Sequence, residues 1–426
     1  MSRSLFRRDN VCVLPYPDGK TFAFTIIDDT DESTLETARL IYDCLFSLGL
    51  KTTKTVWVTP PSSPTHKPCD SGDTLERADY AEYINLLKQR GFEIALHNVS
   101  STSNTRAAIS AGLAAFIQIV GDSPKINVHH EKNAENIYFE FAQSGRHLPR
   151  PFRTTLFNRV HKILGRDEQQ TYVLEHGCSG ENPKSEYFWG DLCKANIRYV
   201  RTNVFLRDLN TLKCSPAMPY ALTETPYVNY WFDSSDGQDV HQFNRILSDK
   251  NIDSLRREQG CCVLYTHFGK GFVEVREGAV EFNSTARQRL RAIAGHPEGW
   301  YAPVSEILDR LLAFQRVAVL QLPGGVLLQN QNDFSIHSIT LRTEPGTTYF
   351  DSNRRTLTAN SRGQLVIPVL DASASLVLMR DGAAGRARRW NEDTRPGLLI
   401  DLAKVAQKIG MHFPRHDRGN TLGTRA

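Results

Sequence analysis

Phe22-Ala-Phe-Thr-Ile-Ile-Asp-Asp-Thr-Asp31 is the stretch whose reading decides the fold. Phe22 to Ile27 is apolar on nearly every residue, the composition of a strand covered on both faces, as in a parallel sheet flanked by helices. The strand ends in three carboxylates, Asp28, Asp29 and Asp31, and in parallel sheets ligands meet the carboxyl ends of strands. The same acids also suit a helix start, because Asp-Thr-Asp-Glu-Ser precedes the amphipathic run Thr34-Leu-Glu-Thr-Ala-Arg-Leu-Ile-Tyr42. Capping alone, or capping together with a site, are the two readings of this segment.

Working outward, the same alternation of short β-prone runs with longer amphipathic ones continues to about Phe314, the signature of repeated β-α units. Each β run stops at polar residues. Thr53 to Val58 stops at Thr59, Phe92 to Leu96 at His97-Asn98, and Lys125 to Val128 at His129-His130. Tyr172 to Leu174 stops at Glu175-His176, Ile197 to Val200 at Arg201-Thr-Asn203, Tyr227 to Phe232 at Asp233, and Cys261 to Tyr265 at Thr266-His267. Helical spacing predicts helices over 34–48, 77–90 and 105–119, with Gly49, Gly91 and Gly121 as their C-terminal stops. Seven or eight strands with crossover helices predict an α/β fold, a distorted (β/α) barrel whose C-terminal face is a functional surface, with an open doubly wound sheet as the rival.

After Phe314 the segments are short, β-prone and turn-punctuated, so 315–380 is expected to form a small antiparallel β domain. Residues 381–426 turn to Gly, Ala and Arg and read as a partly disordered tail. One amphipathic helix is expected in it, over Pro396 to His412, docking on the protein itself.

Bulk composition narrows the function classes. Across 426 residues, 51 Lys and Arg against 47 Asp and Glu leave a net charge of only +4, which is no footprint for nucleic acid. The eight cysteines lack metal-finger spacing, and the adjacent pair Cys261-Cys262 sits in an apolar run, so reduced thiols are expected. The N-terminus shows no signal-peptide pattern and no run of ~18 apolar residues could span a bilayer. A cytoplasmic address without a transmembrane segment is the expectation.

In their order, these motifs resemble the polysaccharide deacetylases, the NodB-homology carbohydrate esterases. Thr25-Ile-Ile-Asp28-Asp29 is similar to that family's first motif and Lys54-Thr-Val-Trp-Val58 to its second strand. Arg90-Gly-Phe-Glu-Ile-Ala-Leu-His97 and Tyr265-Thr-His267 are similar to its later histidine motifs. The resemblance covers about residues 20 to 314 and makes 1–314 a deacetylase-like barrel. It implies a divalent metal, with zinc expected, held by Asp29 and His97, with Asp28 as the base and His267 as the acid. Such chemistry suits an acetamide, a poor electrophile whose hydrolysis wants a metal that polarises the carbonyl and lowers the pKa of water, and a separate acid for the departing amine.

Two departures stand out. The family's second histidine, four residues after the first, is here Ser101, and a hydroxyl is a weak zinc ligand. After the next strand stands Val128-His129-His130-Glu131 in place of the family's motif, so His129 or His130 is expected to supply the missing donor. Because successive strand residues point to opposite sides, only one of them should face the barrel mouth. Asp31 is a further candidate donor, in competition with its capping role. Trp57, Arg201, Asn203, Trp231 and Asp236, at or near strand ends, are expected to contact a carbohydrate substrate, by stacking on pyranose faces or by bonding hydroxyls.

The resemblance thus implies a metal-dependent deacetylase of N- or O-acetylated sugars, acting in cytoplasmic steps of surface-polysaccharide synthesis. The alternative, motivated by Ser101, is a non-catalytic glycan-binding or scaffold protein on a degenerate barrel.

Overall fold

A computed structural model describes residues 11–65, 67–131, 133–139, 177–276, 279–351 and 355–381. After a short strand β1 (Cys12–Leu14), the chain builds β2 (Phe22–Asp28), β3 (Thr53–Val56), β4 (Glu93–Leu96), β5 (Ile126–Asn127), β6 (Tyr199–Phe205), β7 (Tyr230–Asp236) and β8 (Cys261–Thr266). Each of β2 to β8 pairs in parallel with the next, and β8 returns to β2 with Ala23–Asp28 opposite Cys261–Thr266. The ring is therefore closed: this is an α/β barrel of seven parallel strands, and the open doubly wound sheet is excluded.

Helices α1 (Leu35–Ser47), α2 (Ala78–Gln89) and α3 (Arg106–Val120) follow β2, β3 and β4. The cap of α1 is Thr34, whose side chain accepts from the Thr37 amide while Thr37 answers to the Thr34 amide, so the start of α1 makes no call on Asp31. Gly49, Gly91 and Gly121 stop these helices at φ values of 70°, 87° and 84°, a left-handed conformation that a Cβ disfavours. The expected strand at Tyr172–Leu174 and the expected tail helix at Pro396–His412 lie outside the described residues.

Strand alternation sorts the barrel side chains into two layers. Phe22, Phe24, Ile26, Ile94, Leu96, Val200, Cys262 and Leu264 pack outward in one core with Ile41, Leu45, Ile84 and Phe116 of the helices. Ala23, Ile27, Ala95, Ile126, Val128, Tyr199, Phe232, Cys261 and Val263 pack together inside the ring. The helix Val304–Phe314 closes the floor: Val304, Ile307, Leu308 and Leu311 join the interior core. The Val304 and Ser305 amides donate to Thr53 Oγ1 (2.9 Å) and Glu93 Oε2 (3.1 Å), at the starts of β3 and β4.

Beyond β8, strands β9 (Val273–Arg276) and β10 (Ala279–Phe282) form an antiparallel pair, and β11 (Gly299–Trp300) adds in parallel to the start of β2. The remaining strands are β12 (Val317–Leu322), β13 (Gly325–Asn330), β14 (Ile336–Arg342), β15 (Thr348–Phe350), β16 (Thr356–Thr358), β17 (Gln364–Leu370) and β18 (Ser375–Arg380). They make two antiparallel sheets, ordered β12-β13-β18-β15-β16 and β1-β14-β17. Their shared core contains Val326, Leu328, Ile339, Leu341, Ile367 and Leu378. The first strand among the described residues, β1, thus belongs to the C-terminal sheets, with Cys12 opposite Arg342. Arg310 of the floor helix ties these parts together, donating to the carbonyls of Pro15, His337 and Ser338 at 2.7–2.8 Å. No helix among the described residues is long and apolar enough to cross a membrane.

Candidate functional site

The period of two that separates the layers continues past the strand ends and decides which polar residues meet at the barrel mouth. In β2, Ile27 faces inward and Ile26 outward. Asp29 therefore follows Ile27 into the mouth, and Asp28 follows Ile26 into the layer between barrel and helices.

Asp28 is fully buried there. Its Oδ2 lies 3.0 Å from Lys54 Nζ and accepts the Tyr42 hydroxyl at 3.0 Å, while Oδ1 accepts the Phe268 amide at 2.9 Å. Burial pushes its carboxyl above the ordinary carboxylate value, against the opposing pull of the Lys54 ammonium and the two hydrogen bonds. The residue expected to act as base thus joins the strand to α1 and to the exit of β8.

Asp29, expected to ligate metal, is clasped by Arg201, whose guanidinium donates to Oδ1 at 2.9 Å and Oδ2 at 2.6 Å. Arg201 lies over the Tyr265 ring, 4.3 Å from its centroid. Burial would raise the Asp29 carboxyl, but Arg201, with His97 and His267 behind it, outweighs burial and holds it below the usual range. It is an ionised, acceptor-only carboxylate in fixed orientation.

Asp31 is the carboxylate that meets the histidines. Its Oδ1 lies 3.0 Å from His97 Nε2 and 4.0 Å from His130 Nε2. Its Oδ2 lies 3.2 Å from His267 Nε2 and accepts from Lys270 Nζ at 2.9 Å. Hydrogen bonds to His267 and His97 overcome the effect of burial and hold Asp31 well below the carboxylate range. One ligand atom each from Asp31, His97 and His130, all buried, lie within 4.8 Å of one another.

The two histidines of the His-His pair separate as strand alternation requires. His130, two residues beyond inward-facing Val128, turns to the mouth, where its Nδ1 lies 3.4 Å from Asn133 Oδ1 and its Nε2 is left for the cluster. His129 turns away, and its Nε2 accepts the Ile137 amide at 3.3 Å. Burial, then the charges of Arg201 and His97, push His129 down to about 3, so it is neutral. His97 is likewise pushed down by burial, against the raising effect of Asp29 and Asp31. Its Nδ1 has no hydrogen-bond partner among the described residues. His267 donates from Nδ1 to the Gln238 carbonyl at 2.8 Å and keeps Nε2 toward Asp31 and the Tyr265 hydroxyl, at 3.2 and 3.3 Å.

A polar plug holds the loops that carry His97 and His130. Glu135 Oε1 accepts from Asn98 (3.2 Å), Asn104 (3.1 Å) and Asn133 (3.1 Å), and Oε2 accepts the Asn104 amide at 3.1 Å. Burial outweighs these four donors and pushes Glu135 up to about 7. Ser101 is buried in the same loop, and its Oγ has no partner among the described residues.

The residues expected at a sugar-binding rim are engaged within the protein. Trp57 is buried and stacks on His97, with ring centroids 6.0 Å apart and planes at 22°. Trp231 is buried in the outer core, with Nε1 donating to Thr225 Oγ1 at 2.8 Å. Asn203 donates its side-chain amide to Asp233 Oδ1 at 3.0 Å, and Asp236, the buried last residue of β7, accepts the Gln238 amide at 3.0 Å. Strand alternation is the signal that would have separated Asp29 from Asp28, whereas Asp31 lies in the turn beyond β2. Lys270 and Glu135 stand in turns, where no periodic signal marks them.

The donor set fits a divalent ion: one carboxylate and two imidazoles converge with Nε2 of His130 unclaimed by its own loop, a set suited to zinc and its neighbours.

No protein-family model matches this chain, and no curated protein sequence matches it. Solved structures that this chain is similar to include one assigned as a polysaccharide deacetylase from Mycobacterium smegmatis, at 14% identity over 72% of this chain and 96% of that one, with a TM-score of 0.38. An allantoinase matches at 9% identity over 70% and 92% of the two chains, with a TM-score of 0.36. The polysaccharide deacetylase Bc1974 from Bacillus cereus matches at 9% over 67% and 91%, with a TM-score of 0.26.

Proposed function

We propose that this chain is a metal-dependent hydrolase that removes N- or O-acetyl groups from a carbohydrate. The observation that carries this reading is the convergence of Asp31, His97 and His130 beside an Arg201-clasped Asp29 and His267, at the carboxyl ends of the barrel strands. Asp31, His97 and His130 would hold the ion. Bound there, a divalent ion polarises an acyl carbonyl and lowers the pKa of water.

The chain's own residues then divide the remaining work. Asp29, ionised and locked by two hydrogen bonds from Arg201, is the group we assign to take the proton of the attacking water. We leave Asp28 out of this role because it lies on the other side of the strand, engaged with Lys54, Tyr42 and the Phe268 amide. His267, oriented by the Gln238 carbonyl on Nδ1, presents Nε2 toward the site and is placed to protonate the leaving amine or alkoxide. Lys270 and Arg201 bring positive charge to a site that otherwise concentrates carboxylates, which suits the developing oxyanion of acyl transfer.

A non-catalytic barrel was suggested by Ser101 alone. That argument weakens because His130 provides an imidazole beside His97, with ring centroids 5.2 Å apart. The test is metal content and acetate release from acetylated sugar oligomers by the purified full chain, with Asp31→Ala and His97→Ala beside it. Wild type should carry metal and release acetate, and both variants should lose both properties. A wild-type protein that binds no divalent metal, or that releases acetate undiminished after chelation, overturns the reading.

A further inference from the structure

His130 Nε2 looks at two carboxylates: Asp31 Oδ1 at 4.0 Å and, from a different loop, Asp70 Oδ1 at 3.6 Å. Beside Asp70 stands Cys69, whose Sγ lies 3.7 Å from the same Asp70 oxygen. One ligand atom each from Cys69, Asp70 and His130 lie within 4.8 Å of one another, a grouping separate from that of Asp31 and His97. We propose that Asp70 and Cys69 complete the coordination of the ion held by Asp31, His97 and His130, and that the centre is a thiolate-containing one. This inference rests on the reading of the site as a metal centre and says what that centre is made of.

Three observations support it. His130 Nε2 faces both carboxylates, Asp31 Oδ1 at 4.0 Å and Asp70 Oδ1 at 3.6 Å, so an ion bound to that nitrogen lies beside both loops. The loop that carries Cys69 and Asp70 is fastened to the turn that carries Asp31. The Glu32 amide donates to the Ser71 carbonyl at 2.7 Å, the Asp73 amide to the Ser33 carbonyl at 2.8 Å, and the Leu35 amide to Asp73 Oδ2 at 2.6 Å. Gly72, at φ 151°, brings this loop so close that a Cβ would meet the carbonyls of Thr30 and Ser33 at 3.1 Å. Third, the Thr65 hydroxyl engages Asp70 Oδ2, which leaves Oδ1 for His130.

The chemical consequence is metal choice. A thiolate beside imidazole and carboxylate favours zinc, cobalt(II) or cadmium over magnesium, calcium or manganese. The experiment loads the full chain with cobalt(II) and records its absorption, together with cobalt content and circular dichroism as a check on folding. Wild type should show sulfur-to-cobalt charge-transfer absorption in the near ultraviolet. Cys69→Ser should lose that band, and Asp70→Asn should bind cobalt on the order of 10-fold more weakly. Wild type that binds cobalt without the band, or a band that survives Cys69→Ser, overturns the role of Cys69. Unchanged affinity in Asp70→Asn overturns that of Asp70. If Asp31→Ala and His97→Ala lose cobalt while Cys69→Ser and Asp70→Asn match wild type in content and spectrum, this inference fails and the metallohydrolase reading stands. If wild type takes up neither cobalt nor zinc, both fail.

Discussion

Lys54 Nζ stands 3.0 Å from Asp28 Oδ2, with neither side chain reaching solvent. Removing one member of a buried ion pair leaves the other charge without compensation, at a cost of about 3–5 kcal/mol. Lys54→Met and Asp28→Asn should each lower stability by that order in urea denaturation, and the double variant should recover part of the loss. Folded Asp28→Asn should keep its metal. If Asp28→Asn is as stable as wild type yet inactive, Asp28 rather than Asp29 takes the proton.

Asp29→Asn keeps the shape of the side chain and removes the charge that Arg201 clasps. Loss of a general base typically costs 10²–10⁴-fold in rate, so acetate release should fall within about that range while metal content stays near wild type. Arg201→Lys, which cannot grip both oxygens in the same plane, should fall in the same direction. Loss of the metal from Asp29→Asn would move Asp29 into the ligand set.

The neighbours His129 and His130 provide an internal control. His130→Ala should lose metal because His130 belongs to the donor cluster. His129→Phe should retain metal and lose about 1 kcal/mol of stability, because the Ile137 amide forfeits its acceptor. Equal metal content in the two variants would remove the distinction drawn from strand alternation.

Glu135 gives a pH prediction. Its folded-state value is pushed up to about 7 by burial, above an unfolded glutamate near ~4.3. A raised carboxyl contributes stability that is fully present below the unfolded value and lost as pH rises through the folded one. Stability of wild type relative to Glu135→Gln should therefore fall between about pH 4.3 and 7, by on the order of 3 kcal/mol in all. A stability difference that stays flat across that window would show that the four donors keep Glu135 ionised throughout.

The barrel was legible because its strands are apolar on both faces and each ends in polar residues, as in Phe22 to Asp28 and Cys261 to His267. The site was legible as a region more than as a set of roles. Motif order gathers Asp28 and Asp29 as a pair, but the two point in opposite directions, and counting twos from Ile27 is what separates them. His130 could be narrowed to one of two by the same argument, though not chosen, because which parity faces inward is fixed by packing of Ile126 and Val128 inside the ring. Asp70 and Glu135 sit in irregular segments, whose course depends on hydrogen bonds to distant loops rather than on local pattern. The tryptophans are ambiguous for a related reason: their size suits a sugar platform and a core equally, and Trp57 and Trp231 are both at 1% exposure.

The floor helix Val304–Phe314 has a consequence for how the protein comes into being. A ribosome releases the strands β2 to β8 well before the segment that seals them from below, and then releases β14, the partner of β1, later still. During synthesis the nascent barrel must wait with its apolar lumen open at one end, the kind of exposed surface on which chaperones act and aggregation begins. Expression of a fragment ending before residue 304 should accordingly yield insoluble material, however complete its ring of strands.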